Sequence, residues 1–125
     1  MRRNYLLLAL CLTLAGCSLT SVPTDSGIVG QVVIGPTCPV ETPDMDCADK
    51  PYQATLTVLT LSGQRVTRFT TEADGTFRVN LAPGDYSLHP ESPDDMGLPY
   101  GVEQNFTVEE GQFTELLVMY DSGIR

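Results

Sequence analysis

Thr71-Glu72-Ala73-Asp74-Gly75-Thr76-Phe77-Arg78-Val79-Asn80-Leu81-Ala82-Pro83-Gly84-Asp85-Tyr86 is the stretch that decides the fold. Phe77, Val79 and Leu81 alternate with Thr76, Arg78 and Asn80, so apolar side chains recur at every second residue. That is the period of a strand with one face on a core, not the 3.6-residue period of a helix. Turn chemistry brackets the strand. Asp74 can bond its own backbone, Gly75 accepts positive φ without steric cost, and Pro83-Gly84 ends the run. Tyr86 then opens a second alternating strand, with Leu88 and Pro90 on its face and Ser87 and His89 on the other.

The pattern continues outward in both directions. Ala54, Leu56 and Val58 alternate with Thr55 and Thr57, and Ser62-Gly63 predicts a tight hairpin. Ala73-Asp74-Gly75, Ala82-Pro83-Gly84 and Glu109-Glu110-Gly111 read the same way, as closures between successive strands. Val102, Gln104, Phe106 and Val108 share one face; Glu103, Asn105 and Thr107 share the other. Ile28 to Ile34 and Phe113 to Tyr120 are apolar on both faces, as expected of strands covered on both sides. Glycine and proline leave little room for a helix. About seven strands are predicted, at 27–35, 52–61, 64–71, 76–81, 85–90, 102–109 and 112–121, which is the spacing of an all-β, Greek-key β-sandwich. The sandwich occupies residues 26–125, and no second domain is expected.

The run from Thr71 to Val79, with Leu81-Ala82-Pro83-Gly84-Asp85-Tyr86 after it, resembles the signature of carboxypeptidase regulatory-like domains. Gly27-Ile28-Val29-Gly30 resembles the opening strand of that family. The resemblance implies a prealbumin-like (transthyretin-like) β-sandwich and a non-catalytic module that packs, spaces or binds. Catalytic or cross-linked relatives of the fold ask for residues this chain lacks. Hydroxyisourate hydrolases need several histidines, and intradiol dioxygenases need two His and two Tyr around iron; His89 stands alone. Adhesin repeats carry a Lys–Asn isopeptide bond, but the only lysine is Lys50, off the first strand.

The amino-terminal residues carry a different message. Arg2 and Arg3 precede an apolar run from Tyr5 to Ala15, too short to span a bilayer and suited to an export signal. Leu14-Ala15-Gly16-Cys17 resembles a bacterial lipobox. That resemblance implies removal of residues 1–16, diacylglycerol and a further acyl chain such as palmitate on Cys17, and a lipidated tether over 17–25. Each buried methylene contributes about 0.8 kcal/mol, so two or more chains hold firmly where one does not. With Ser18 after the cysteine, the expected address is the outer membrane in a Gram-negative cell, or otherwise the outer face of the cell membrane.

Charge narrows the partners. The chain has seven basic and sixteen acidic residues, a formal net charge of −9. Loss of Arg2 and Arg3 leaves five basic against sixteen acidic, about −11. Such a surface repels phosphate backbones, so nucleic acid is not an expected partner. The expected partners are the membrane, reached through the lipid, and an envelope protein or glycan. No cofactor is expected.

Cysteine use fits export. Cys11 leaves with the signal and Cys17 takes the lipid, leaving Cys38 and Cys47 as an even pair where disulfides persist. A bridge would close a polar loop and stabilise the fold by about 2.7 kcal/mol for a ring of roughly ten residues. The rival reading is metal ligation, for which only His89 remains to help.

Few side chains suggest chemistry. His89 with loop carboxylates is the basis of a competing reading, a small metal-dependent or hydrolytic envelope enzyme. Its period places it away from the core, and Ser87 and Ser92 are not positioned by the strand to serve it as nucleophiles. Glu41, Asp44, Asp46, Asp49, Asp94 and Asp95 could supply oxygens to calcium, or be ordinary solvated loop charge. Tyr52, Tyr100 and Tyr120 could form a sugar-stacking surface. Loops carry function more often than sheets, so a contact surface is expected at 36–51 and 91–101, with Tyr52 and Tyr100 in it.

Overall fold

The computed structural model describes residues 23–40, 43–44 and 46–124. The export signal, Cys17, most of the tether and Glu41 lie outside the described residues. Among the described residues there is no helix. Nine strands form: β1 (Gly27–Gly35), β2 (Lys50–Pro51), β3 (Thr55–Thr60), β4 (Arg65–Thr70), β5 (Thr76–Asn80), β6 (Gly84–Pro90), β7 (Tyr100–Gly101), β8 (Gln104–Val108) and β9 (Phe113–Asp121).

They make two sheets. The first has the order β2-β1-β9-β7, with β5 also paired to β1. The second has the order β4-β3-β6-β8. The all-β sandwich is as expected, with two strands more than the seven predicted. β2 and β7 are two residues each, too short to show a period, and they exist because the ends of β1 and β9 offer backbone groups to pair.

Strand β1 is the spine. It pairs antiparallel with β5 from Gly27 opposite Asn80 to Gln31 opposite Thr76. On its other side it pairs parallel with β9 along its whole length, Gly27 opposite Phe113 to Gly35 opposite Asp121. Inward side chains of both sheets meet in one core that includes Ile28, Val32, Leu56, Val58, Leu88 and Val118, each with no exposed surface. Burying side chains of this kind contributes about 1.5–3 kcal/mol apiece.

The turn residues were legible, but their roles differ from the sequence expectation. Ser62-Gly63 does close a hairpin within one sheet, β3 to β4. The other three turns are corners: Asp74-Gly75 carries the chain from β4 in the second sheet to β5 in the first, Pro83-Gly84 returns it to β6, and 109–112 crosses again from β8 to β9. A turn residue sets its own φ and ψ and says nothing about which strand the next one will pair with. The Asp74 carboxylate accepts from the Thr76 amide at 3.0 Å and its hydroxyl at 2.6 Å. Gly75, at φ +80°, accepts from the Val32 amide at 2.9 Å and lies so close to β1 that a Cβ would sit 2.3 Å from the Val32 carbonyl oxygen. Tyr86 locks the next corner, its hydroxyl donating to the Ala82 carbonyl at 2.6 Å.

Two other expectations need correction. Val102 does not join Phe106 and Val108 in the core; it precedes β8 and is 51% exposed. Strands β1 and β9 are not covered on both sides, since Leu117 on the outer face of β9 is exposed. Their inner faces alone account for the core.

Cys38 and Cys47 are bridged, with Cα atoms 5.4 Å apart and a sequence separation of nine. Replacing both by serine is expected to lower the unfolding free energy by about 2.7 kcal/mol, read as a lower denaturant midpoint. A midpoint unchanged by the double substitution, or two free thiols in the mass of the unreduced protein, would refute that role. The paired edges of the sandwich are sealed by side chains. Thr114 donates to the Thr107 carbonyl at 2.6 Å and Gln104 donates to the Leu117 carbonyl at 3.1 Å, so β8 and β9 each satisfy part of the other's open edge.

Candidate functional site

Because β1 and β9 run parallel, both end at one pole of the sandwich, and the two predicted contact loops meet there. The loop after β1 begins at Pro36, whose carbonyl accepts from the Ser122 hydroxyl at 2.6 Å, while the Ser122 amide donates to Gly35 at 3.0 Å. The loop after β6 is tied to the same place by Tyr120, whose hydroxyl donates to the Glu91 carbonyl at 2.7 Å. Leu98 packs against Gly123. Asp94 shapes the loop from within, one carboxylate oxygen accepting from the amides of Met96 at 3.0 Å and Leu98 at 2.9 Å. Ser92 Oγ lies 2.9 Å from the Pro99 carbonyl.

The three tyrosines separate. Tyr120 is 1% exposed and its ring centroid lies 5.0 Å from that of Tyr52. Its burial, with Tyr52 and Glu91 nearby, raises its pKa well above the usual phenol value. It is part of the interior, which corrects its place in a sugar-stacking surface. Tyr52 is half-buried, and its hydroxyl is pushed up by burial first and Asp94 second. Tyr100 is exposed.

The candidate calcium ligands are also dispersed in role. Asp46 pairs with Lys50 at 2.9 Å and accepts from the Ala48 amide at 3.3 Å; the lysine hydrogen bond is the main cause of its lowered pKa. Asp94 is committed to its loop, as described. Among the described residues, no three His, Cys, Asp or Glu side chains are grouped as a metal would require.

His89 lies on the outer face of the second sheet, opposite Thr57, and its Nδ1 pairs with Glu103 Oε1. Thr57 donates not to His89 but to Glu91 Oε1, at 2.8 Å. Arg68 completes the group with two bonds to Glu91, from Nε and Nη2, both 2.8 Å. This fork-to-carboxylate pair was not foreseen from the sequence, since its members are 23 residues apart. The alternation that turned His89 outward extends two residues to Glu91, and that is the only signal there was. A cleft of about 460 Å³ lies beside the pair, lined by residues that include Tyr52, Gln53, Ser92 and Pro93.

Arg68, then Thr57, hold the Glu91 carboxyl at about 2 against the 4.5 of a free one, desolvation opposing them. A carboxyl depressed in the folded state stabilises above its unfolded value, and that contribution is lost as pH falls from 4.5 through about 2. Glu91→Gln is therefore expected to flatten the acid limb of the stability–pH curve between those values. Parallel curves for the two proteins, from urea titrations at each pH, would count against the pair.

No known family model matches the sequence, and no curated protein matches it. Among solved structures, the chain is similar to part of the Bacillus anthracis TIE protein, with a TM-score of 0.50 and 18% identity over 78% of this chain. The fold is a β-sandwich. The match spans 17% of the TIE protein's own length, and at this identity the likeness speaks for architecture alone.

Proposed function

We propose that this chain is a non-catalytic, lipid-anchored module of the cell envelope that presents the polar end loops to an envelope protein or glycan. The reading rests on Leu14-Ala15-Gly16-Cys17 following an arginine pair and a short apolar run. The strand order supports it. Strand β1 begins at Gly27, where it faces Phe113, and the loops at 36–49 and 91–99 sit nine strand residues away at the other pole. A lipid at Cys17 would hold the first pole to the bilayer and turn the loops outward. We assign the domain to the prealbumin-like, carboxypeptidase regulatory-like sandwiches on the Asp74-Gly75 turn, the buried Phe77 and the Pro83-Gly84 corner closed by Tyr86.

Cys17→Ala is expected to abolish acylation and release the protein from the membrane fraction. The check is fractionation together with the mass of the amino-terminal peptide. A variant that sediments with membranes like the parent would overturn the anchor. A hydrolytic activity lost in His89→Ala, with folding intact, would instead favour an enzyme.

A further inference from the structure

The two sides of the sandwich are finished differently. On one, Thr114 and Gln104 tie β8 to β9. On the other, β4 of the second sheet and β5 of the first are edges, joined only by the corner at 71–75. Strand β4 pairs with β3 alone. The Thr71 amide bonds the Ala54 carbonyl at 2.9 Å, and Phe69 and Thr67 continue that phase opposite Leu56 and Val58. Antiparallel bonding alternates, so the backbone N–H and C=O of Arg68 and Thr70 turn away from β3, and no strand meets them among the described residues. Such an edge is a template for a further strand.

A cleft flanks this edge on each face, and the two differ in chemistry. The inner one, about 410 Å³, opens between β4 and β5. Phe69, Phe77 and Val79 line it, with Glu72 and Thr76 where the corner closes it, and the two phenyl rings lie 5.5 Å apart. The outer one, about 480 Å³, lies on the face that Thr55, Arg68 and Thr70 share, out of phase with the buried Leu56 and Val58. Arg65 lines it as well, and no carboxylate does. Arg68 gives Nε and Nη2 to Glu91 and keeps Nη1. Arg65 has no hydrogen-bond or ion-pair partner among the described residues. The result is a locally positive strip on a chain of net charge −9.

We propose that β4 accepts an extended segment of another protein as an added strand, one in which apolar and acidic residues alternate. Residues set opposite Phe69 and Thr67 turn inward, towards the cleft that holds Phe77 and Val79. Those set opposite Arg68 and Thr70 turn outward, towards the two guanidiniums. Opposed side chains on neighbouring strands stand about 5 Å apart, within reach of an arginine–carboxylate pair. The free main-chain groups of Arg68 and Thr70 supply affinity, and the two clefts supply the pattern. A second copy of β4 is a poorer occupant. Antiparallel pairing centred on Arg68 or Phe69 sets the Arg68 of one copy opposite or diagonal to that of the other. The inference concerns the flank of the sandwich and depends neither on acylation at Cys17 nor on the end loops.

The probe is a short fluorescent peptide of alternating valine and glutamate, titrated with the full chain in detergent and followed by anisotropy. Saturable binding is expected below about 1 mM. The same peptide with lysine for glutamate should bind about tenfold more weakly or worse, although the acidic remainder of the surface favours it. Arg65→Glu should reverse that order. Thr70→Pro removes one free edge amide and should abolish binding with the fold intact by circular dichroism. Methylation of the peptide's own amides repeats the test without altering the protein. Methylating one residue type should abolish binding and methylating the other should spare it, because alternate amides face β4. Absence of saturable binding at roughly 1 mM overturns the proposal. So does a lysine peptide that binds the parent as tightly, or equal effects of the two methylations. A dimer of the chain that Thr70→Pro dissolves would make a second copy the occupant and overturn the assignment to another protein.

Discussion

Gly30→Ala is expected to cost about 3 kcal/mol or more, a large part of what holds a domain of this size together. The reason is distance and not backbone angle. Gly30 sits inside the β1–β9 ladder opposite Leu116, and a Cβ built on it would lie 1.9 Å from the Leu116 carbonyl oxygen and 2.9 Å from Phe77 Cζ. Backbone cannot yield as a flexible side-chain end would, so β9 must move away from β1 or the Phe77 ring must leave the core. Gly63→Ala is the natural comparison. Its Cβ would meet nothing within 4 Å, and only the φ of +93° opposes it. Its cost should stay near 1 kcal/mol. Urea titrations of both variants give the answer; equal midpoint shifts would show that the β1–β9 approach is looser than described.

Tyr120→Ala is expected to be at least as damaging, about 3–5 kcal/mol, because it empties a site with 1% exposure. The milder Tyr120→Phe isolates the hydroxyl. It leaves the Glu91 carbonyl without its 2.7 Å donor and should cost about 1 kcal/mol. The distribution of the effect matters more than its size. Tyr120 joins the end of β9 to the start of the 91–99 loop, and its ring packs on Tyr52, directly after β2, which closes the loop that follows β1. Amide hydrogen exchange should therefore rise in both loops of Tyr120→Phe while β3 and β6 stay protected. Uniform acceleration over the whole domain would deny Tyr120 this linking role.

Most strands could be read from the sequence because a half-buried strand writes its burial as a period of two. Leu56 and Val58, Tyr86 and Leu88, and Phe106 and Val108 all point inward as the alternation required. The reading failed where the period carried a different meaning. Apolar residues on both faces of β9 suggested cover from both sides, yet the outer ones face away from the core. Val102 matched the phase of Phe106 but lies beyond the start of β8, where the chain bonds β9 and the phase no longer applies. The site was legible to the extent that its loops were long, irregular and acidic. That they share a pole follows from the parallel pairing of β1 with β9, a contact between residues about ninety apart that no local pattern encodes. Arg68 and Glu91 met for the same kind of reason, through the neighbouring ladders of β4, β3 and β6.

The β1–β9 ladder also has a mechanical meaning. Its two strands run side by side in the same direction from Gly27 and Phe113 to Gly35 and Asp121. A pull entering at Gly27 and resisted at the end of β9, beyond Asp121, travels lengthwise through that ladder. Its rungs then share the load in shear, where a sheet pulled from one corner would unzip one rung at a time.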